Sequence, residues 1–167
     1  MKWIIAFCFC CLGFCSFAQA DDTSIPPYKR FPTLPPIQLL LSDSTTMFTK
    51  EDFAKKKPVL LILFSPECSH CQHETEELVK YKDDLKDIQI VMATLHPLTD
   101  MKAFIEHYKL KDLPNVIVGK DIYYLMPSFY NIHNLPYMAM YNKKGELIGG
   151  YEGSLSISKV LDIFAKQ

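Results

Sequence analysis

The chain has 167 residues, 49% hydrophobic and 22% charged, with 18 Lys and Arg against 19 Asp and Glu and a formal net charge of −1. This composition is globular and excludes a disordered tail or a fibre. Balanced charge also excludes the basic face that a nucleic-acid binder needs, so no nucleic acid is expected as a partner.

The first twenty residues read as an export signal. Lys2 supplies a short positive start, Trp3 to Phe17 is an unbroken apolar run, and Ala18-Gln19-Ala20 is a small-x-small cleavage site. The run falls short of the roughly 20 apolar residues a membrane-spanning helix needs. Residues 1–20 are therefore expected to be removed, with the mature protein exported to the periplasm. A retained signal would tether it to the membrane. Cys8, Cys10, Cys11 and Cys15 lie in this segment. Cys68 and Cys71 are then the only cysteines of a mature chain sized for one domain, too few for a multi-bridge disulfide scaffold.

Residues 21–36 carry Pro26, Pro27, Pro32, Pro35 and Pro36 and read as an extended leader, not a helix. A domain is expected over residues 37–167. Ile37 to Leu41 is a short strand, and Thr49 opens a short helix through Phe53 and Ala54. Val59 to Phe64 is a continuous apolar run bounded by Pro58 and Pro66, the pattern of a strand buried on both faces. From Cys68 to about Leu85 the spacing is helical, with Leu78, Tyr81 and Leu85 on one side. Ile88 to Thr94 is a second buried strand. Thr99 or Asp100 caps a helix bearing Met101, Phe104, Ile105 and Tyr108. Val116 to Val118 is a strand, and Ile122 to Tyr130 is weakly helical. Tyr137 to Tyr141 and Glu146 to Tyr151 form a hairpin around Asn142-Lys143-Lys144-Gly145. Ser156 starts a last helix with Ile157, Val160, Leu161 and Phe164 on one face. Helices between buried strands imply a mixed α/β sheet with parallel members, and the hairpin an antiparallel edge.

The chemistry concentrates in Glu67-Cys68-Ser69-His70-Cys71-Gln72-His73-Glu74. Two cysteines at i and i+3, opening a helix after a buried strand, suit a redox pair. The helix N-terminus favours the thiolate of the first, and the second lies one turn in. The first thiolate attacks a partner disulfide and the second resolves the mixed disulfide. A zinc site would need a second pair of ligands. An inert disulfide would close too short a loop to restrict many chain states. His70, between the thiols, is either an imidazole that favours the thiolate or a solvated histidine at a helix start, whereas the negative charge of Glu67 disfavours the thiolate. Glu74 is one turn beyond Cys71. By spacing it is either a base for the second thiol or a surface acid beside Glu76 and Glu77. Leu135-Pro136 precedes the hairpin, with Leu113-Pro114 as the rival position for a cis bond. His96, His107 and His133 read as ordinary histidines.

These residues resemble the thioredoxin superfamily, most closely its exported TlpA/ResA-like branch. The resemblance rests on the buried strand leading into Cys68-Ser69-His70-Cys71, on Leu135-Pro136 before a hairpin, and on the closing helix. It implies a thioredoxin fold, a central mixed β-sheet flanked by helices with an N-terminal extension, and a thiol–disulfide oxidoreductase without cofactor or metal. Cys68 would be the nucleophile, Cys71 the resolving thiol and Glu74 a proton relay. His70 and Glu67 would tune the pair, and Leu135 and Pro136 would bind the partner chain as an added strand. Partners would be protein thiols and disulfides, plus a redox partner protein in the envelope. The sequence departs from the family pattern where Glu67 replaces an aromatic residue and Ile62 replaces a buried acid. Two further readings belong to other classes. A copper-binding or metallochaperone module would use both cysteines and His133, and a peroxidase would need a threonine where Ser65 stands.

Overall fold

The computed structural model describes residues 25–167; the expected signal lies outside the described residues. Seven strands form one sheet: β1 (Gln38–Leu41), β2 (Met47–Thr49), β3 (Val59–Phe64), β4 (Gln89–Thr94), β5 (Val116–Asp121), β6 (Tyr137–Tyr141) and β7 (Leu147–Glu152). Their order is β2-β1-β5-β4-β3-β6-β7. The centre, β5-β4-β3, is parallel, and β6, β7, β1 and β2 add antiparallel to its two sides. Six α-helices accompany it among the described residues: α1 (Pro27–Arg30), α2 (Ser69–Lys80), α3 (Lys82–Leu85), α4 (Leu98–His107), α5 (Leu125–Tyr130) and α6 (Ile157–Ala165).

The run Val59 to Phe64 is apolar throughout because β3 is covered on both faces. Alternate side chains point to opposite faces of a strand. Leu60, Ile62 and Phe64 therefore join Leu78, Met92, Met101, Ile157 and Val160 in one core, under α2, α4 and α6. Val59, Leu61 and Leu63 join Val91, Ala139, Met126 and Tyr130 in a second core, under α5. A parallel β3–β4 pair needs a crossover, and α2 with α3 supplies it.

Several element boundaries differ from the sequence expectation. The proline-rich leader holds a helical turn, because Pro27 sits in the first turn, where its missing N–H is not needed. The leader is not a free tether. Tyr28 packs its ring 5.7 Å from that of Tyr130. Leu34 N donates to Gly145 O and Leu147 N to Pro32 O, which ties the leader to the hairpin. The expected helix from Cys68 to Leu85 breaks at Tyr81, whose backbone leaves helical geometry at φ −94° and ψ 20°. α4 begins before Thr99, with Pro97 as its cap. The helix expected after Thr49 is a single 3-10 turn, Lys50–Asp52. β5 runs on to Asp121, whose fully buried carboxylate accepts the Leu125 and Met126 N–H groups and starts α5.

Candidate redox site

β3 ends at Phe64 in the centre of the sheet, and a three-residue turn leads into α2. Cys68 caps that helix with extended backbone, φ −82° and ψ 117°. Its N–H donates to Ser65 O at 3.2 Å, and its carbonyl accepts from Gln72 N at 3.0 Å. The Gln72 side chain donates to Pro66 O at 2.8 Å, which fixes the other side of the turn. Cys68 is half-buried at the sheet's carboxyl edge. One helical turn on, Cys71 is 1% exposed and belongs to the core. Both are free thiols.

The Leu135–Pro136 peptide is the one cis bond among the described residues; Leu113–Pro114 is not cis. It lies in the loop before β6, and β6 is hydrogen-bonded to β3. That pairing brings the loop over the cysteines. The Cys68 Sγ lies 4.0 Å from Leu135 O. Pro136 lines one small cavity together with Ile62, Phe64, Cys71, Glu74, Thr75, Leu78 and Met92.

Glu74 projects into this cavity and is 4% exposed. Its Oε2 accepts the Leu155 N–H at 3.3 Å, and its Oε1 has no hydrogen-bond partner. The surface alternative left open by spacing is thus overturned: α2 turns Glu74 inward and leaves Glu76 exposed. Burial pushes the Glu74 carboxyl up to about 7, against the pull of the Leu155 N–H. Burial also pushes the Cys71 thiol up to about 12; the Ser65 backbone N–H opposes this, and Cys68 and Glu74 add to it. A poorly acidic thiol beside a carboxylate that ionises near neutrality is an arrangement suited to moving one proton.

His70 and Glu67 flank Cys68 on the surface, both exposed. His133 is exposed on the loop before Leu135, with its Nε2 3.1 Å from Asn131 Nδ2. Among the described residues no three His, Cys, Asp or Glu side chains gather to hold a metal ion, so the copper reading is not favoured. One contact was missed by the sequence reading. His96, at the end of β4, places its Nε2 2.9 Å from Ser65 Oγ. A pair 31 positions apart leaves no local signal in the chain.

No protein-family model matches the sequence, and no curated protein matches it. Solved structures do. A secreted Mycobacterium tuberculosis disulfide oxidoreductase homologous to Escherichia coli DsbE aligns with TM-score 0.66 and 17% identity, over 79% of this chain and 96% of its own. StoA from Bacillus subtilis gives TM-score 0.59 and 17% identity, over 79% and 98%. The exposed lipoprotein thioredoxin of Streptococcus pneumoniae gives 0.61 and 19%, over 78% and 98%. The chain has a thioredoxin fold. The N-terminal extension lies against this fold: Pro27–Arg30 packs on α5, and Pro32 and Leu34 hydrogen-bond to the hairpin.

Proposed function

We propose that the protein is a thiol–disulfide oxidoreductase that exchanges disulfides with proteins of the cell envelope. The observation that carries this is the pairing of unlike thiols: Cys68 half-exposed at a helix N-terminus beside Leu135 O, and Cys71 buried behind it with Glu74. The solved structures of like fold include proteins described as a disulfide oxidoreductase and a thioredoxin, one secreted and one an exposed lipoprotein, which supports both the activity and an address outside the cytoplasm. Residues 1–20 supply the export signal in this reading. No helix among the described residues is long and apolar enough to cross a membrane.

In the reducing direction the Cys68 thiolate attacks one sulfur of a partner disulfide. A mixed disulfide forms and one partner thiolate leaves. The Glu74 carboxylate takes the Cys71 proton, and the Cys71 thiolate attacks the Cys68 sulfur. The Cys68–Cys71 disulfide forms and the second partner thiol leaves, so the partner gains the two electrons that the pair loses. The Leu135 carbonyl, 4.0 Å from Cys68 Sγ, and the backbone around Pro136 hold the partner chain as an added strand, close to the attacking sulfur. His70 and Glu67, both exposed beside Cys68, bias the pair in opposite senses.

The reduction potential of the Cys68–Cys71 pair tests the reading and gives its direction. Equilibration in redox buffer, read by alkylation mass shift, should show one two-electron couple. A potential near about −120 mV marks a disulfide donor, and one near or below about −270 mV marks a reductant. A pair that forms no disulfide under any poise refutes the proposal.

A further inference from the structure

We infer that a groove beside Cys68 selects partner proteins that carry a lysine or arginine close to the cysteine under attack. The inference rests on the oxidoreductase reading above and names the class of chain that the site receives. The groove is open and about 520 Å³ in volume. Pro66 and Glu67, from the turn that ends in Cys68, form one wall, and Asp100, Phe104 and Tyr108, on α4 and just past its end, form the other. The Gln72 side chain donates to Pro66 O at 2.8 Å and holds the near wall in place. β4 and β6 flank β3 on opposite sides. The groove therefore lies on the β4 side of Cys68, and the Leu135–Pro136 loop on the β6 side. A chain held at Leu135 and crossing the Cys68 sulfur continues towards the groove.

The floor of the groove is aromatic. Phe104 is buried, with its ring centroid 4.7 Å from that of Phe64, the last residue of β3, and 4.6 Å from that of Tyr108. The rim is acidic. Glu67 is exposed, and the Asp100 side chain is 42% exposed, accepting from Thr99 Oγ1 at 3.0 Å. No lysine or arginine lines the groove, and among the described residues neither carboxylate pairs with one. Lys102, the one lysine of α4, is turned away and donates to Ser44 Oγ at 2.9 Å. The basic groups beside the rim are imidazoles: His96 Nδ1 lies 3.8 Å from Asp100 Oδ2, and the His107 ring packs edge-on to Tyr108 with centroids 4.7 Å apart. An apolar side chain here would cover two carboxylates without pairing them, and an acidic one would be repelled. A lysine or arginine suits both parts. Its methylene stem lies on the Phe104–Tyr108 floor, and its charged head reaches the rim. An extended chain advances about 3.3 Å per residue, and Glu67 is the neighbour of Cys68, so this side chain stands within about four residues of the attacked cysteine.

Stopped-flow reaction of the reduced protein with chromogenic disulfides tests this. With a symmetric aryl disulfide, the first aryl thiolate is released when Cys68 attacks, and the second when Cys71 attacks the mixed disulfide. Peptide–aryl disulfides add the groove contact to the first step: Cys68 attacks the peptide sulfur, a Cys68–peptide disulfide forms and the aryl thiolate leaves. The peptides carry Lys, Leu or Glu at one of the four positions on either side of the cysteine. Each first-phase rate is divided by that of the symmetric disulfide, so that any change in Cys68 reactivity cancels. At the best position the Lys peptide should react about tenfold faster than the Leu peptide, the size of two exposed ion pairs, and the Glu peptide should be the slowest. Glu67→Gln and Asp100→Asn should each lower the Lys-to-Leu ratio about threefold, and the double variant should bring it to about one. Salt at about 1 M should erase the preference in the wild type. A wild-type ratio near one at every position overturns the inference without any variant, as does a Lys preference that survives in the double variant. First-phase release needs only the Cys68 thiol. A charge preference in a protein that exchanges with no protein disulfide would therefore refute the oxidoreductase reading and leave the groove standing, whereas exchange with protein disulfides and no preference would remove the groove alone.

Discussion

Replacing Glu74 by Gln should raise stability and slow resolution at the same time. Folding carries this carboxyl from 4.5 to about 7 because the cavity strips its water. Each pH unit between folded and unfolded values is worth about 1.4 kcal/mol, so the ionised side chain weakens the fold by about 3 kcal/mol above pH 7. The sign follows from proton counting. Between pH 4.5 and about 7 the folded chain keeps a proton that the unfolded chain has released. Stability therefore falls as pH rises through that window and levels off above it. Glutamine carries no charge and removes the fall. Its amide still accepts the Leu155 N–H but brings two donors into an apolar cavity, which offsets about 1 kcal/mol of the gain. The variant should be about 2 kcal/mol more stable than the wild type at pH 8 and slightly less stable at pH 4.5. Urea unfolding of the reduced proteins at several pH values reads this directly. The same substitution should slow the second aryl-thiolate phase about 100-fold, the lower end for loss of a general base. In the wild type that phase should accelerate as pH passes about 7. A wild-type stability that is flat from pH 4.5 to 8, or a variant with undiminished resolution, would refute the reasoning.

Three other outcomes follow from named contacts. Cys68→Ser should abolish exchange with a model protein disulfide, whereas Cys71→Ser should stall at a mixed disulfide visible as a mass adduct; turnover by the Cys68 variant would contradict the assignment. Gly119→Ala should destabilise by about 2 kcal/mol in urea unfolding, because its new Cβ would lie 2.6 Å from Leu39 Cβ on the neighbouring strand. A neutral result there would mean that β1 shifts freely against β5. Glu152→Ala should raise KM for a protein disulfide about fivefold with little change in kcat. The Glu152 carboxylate accepts the His133 N–H at 3.0 Å and Asn134 Nδ2 at 2.9 Å, and so braces the loop that ends in Leu135–Pro136. An unchanged KM would show that the loop needs no brace.

The parts of this fold legible in the sequence are those governed by local rules. Val59 to Phe64 could be read because a strand covered on both faces has no polar side to display. The Asn142 to Gly145 turn was equally plain, since Gly145 takes φ 77° and the Asn142 side chain accepts from the Lys144 and Glu146 N–H groups. Met47–Thr49 escaped notice because three residues on a sheet edge carry too little alternation to register. Its turn depends on the Asp43 carboxylate, which accepts the Thr45 and Thr46 N–H groups. Spacing put Glu74 one turn from Cys71 but could not say whether α2 faced it inward. Its burial depends on the Leu155 N–H, 81 positions away. The Ser65–His96 contact was illegible for the same reason: sequence patterns report neighbours on one element, and this pair joins two.

Ile62 is where these threads meet. The resemblance to thioredoxins expects a buried acid at that position on β3, and the chain supplies an isoleucine. The structure places Ile62 and Glu74 on the walls of the same cavity, with Cys71 between strand and helix. An acid on β3 and an acid one turn past Cys71 on α2 are alternative ways to aim a carboxylate at one buried sulfur. Putting both there would bury two negative charges in one apolar space, and like charges at that range cannot both ionise near neutral pH. With Ile62 apolar, the Glu74 charge is the only carboxylate in the cavity and ionises near pH 7 instead of far above it. Ile62→Asp should therefore push the Glu74 carboxyl further up and move the pH midpoint of resolution above 7, a shift that the aryl-disulfide second phase would register. A midpoint unmoved by the added acid would mean that the two positions do not share one electrostatic environment, and the cavity would then have to be read as two separate sites.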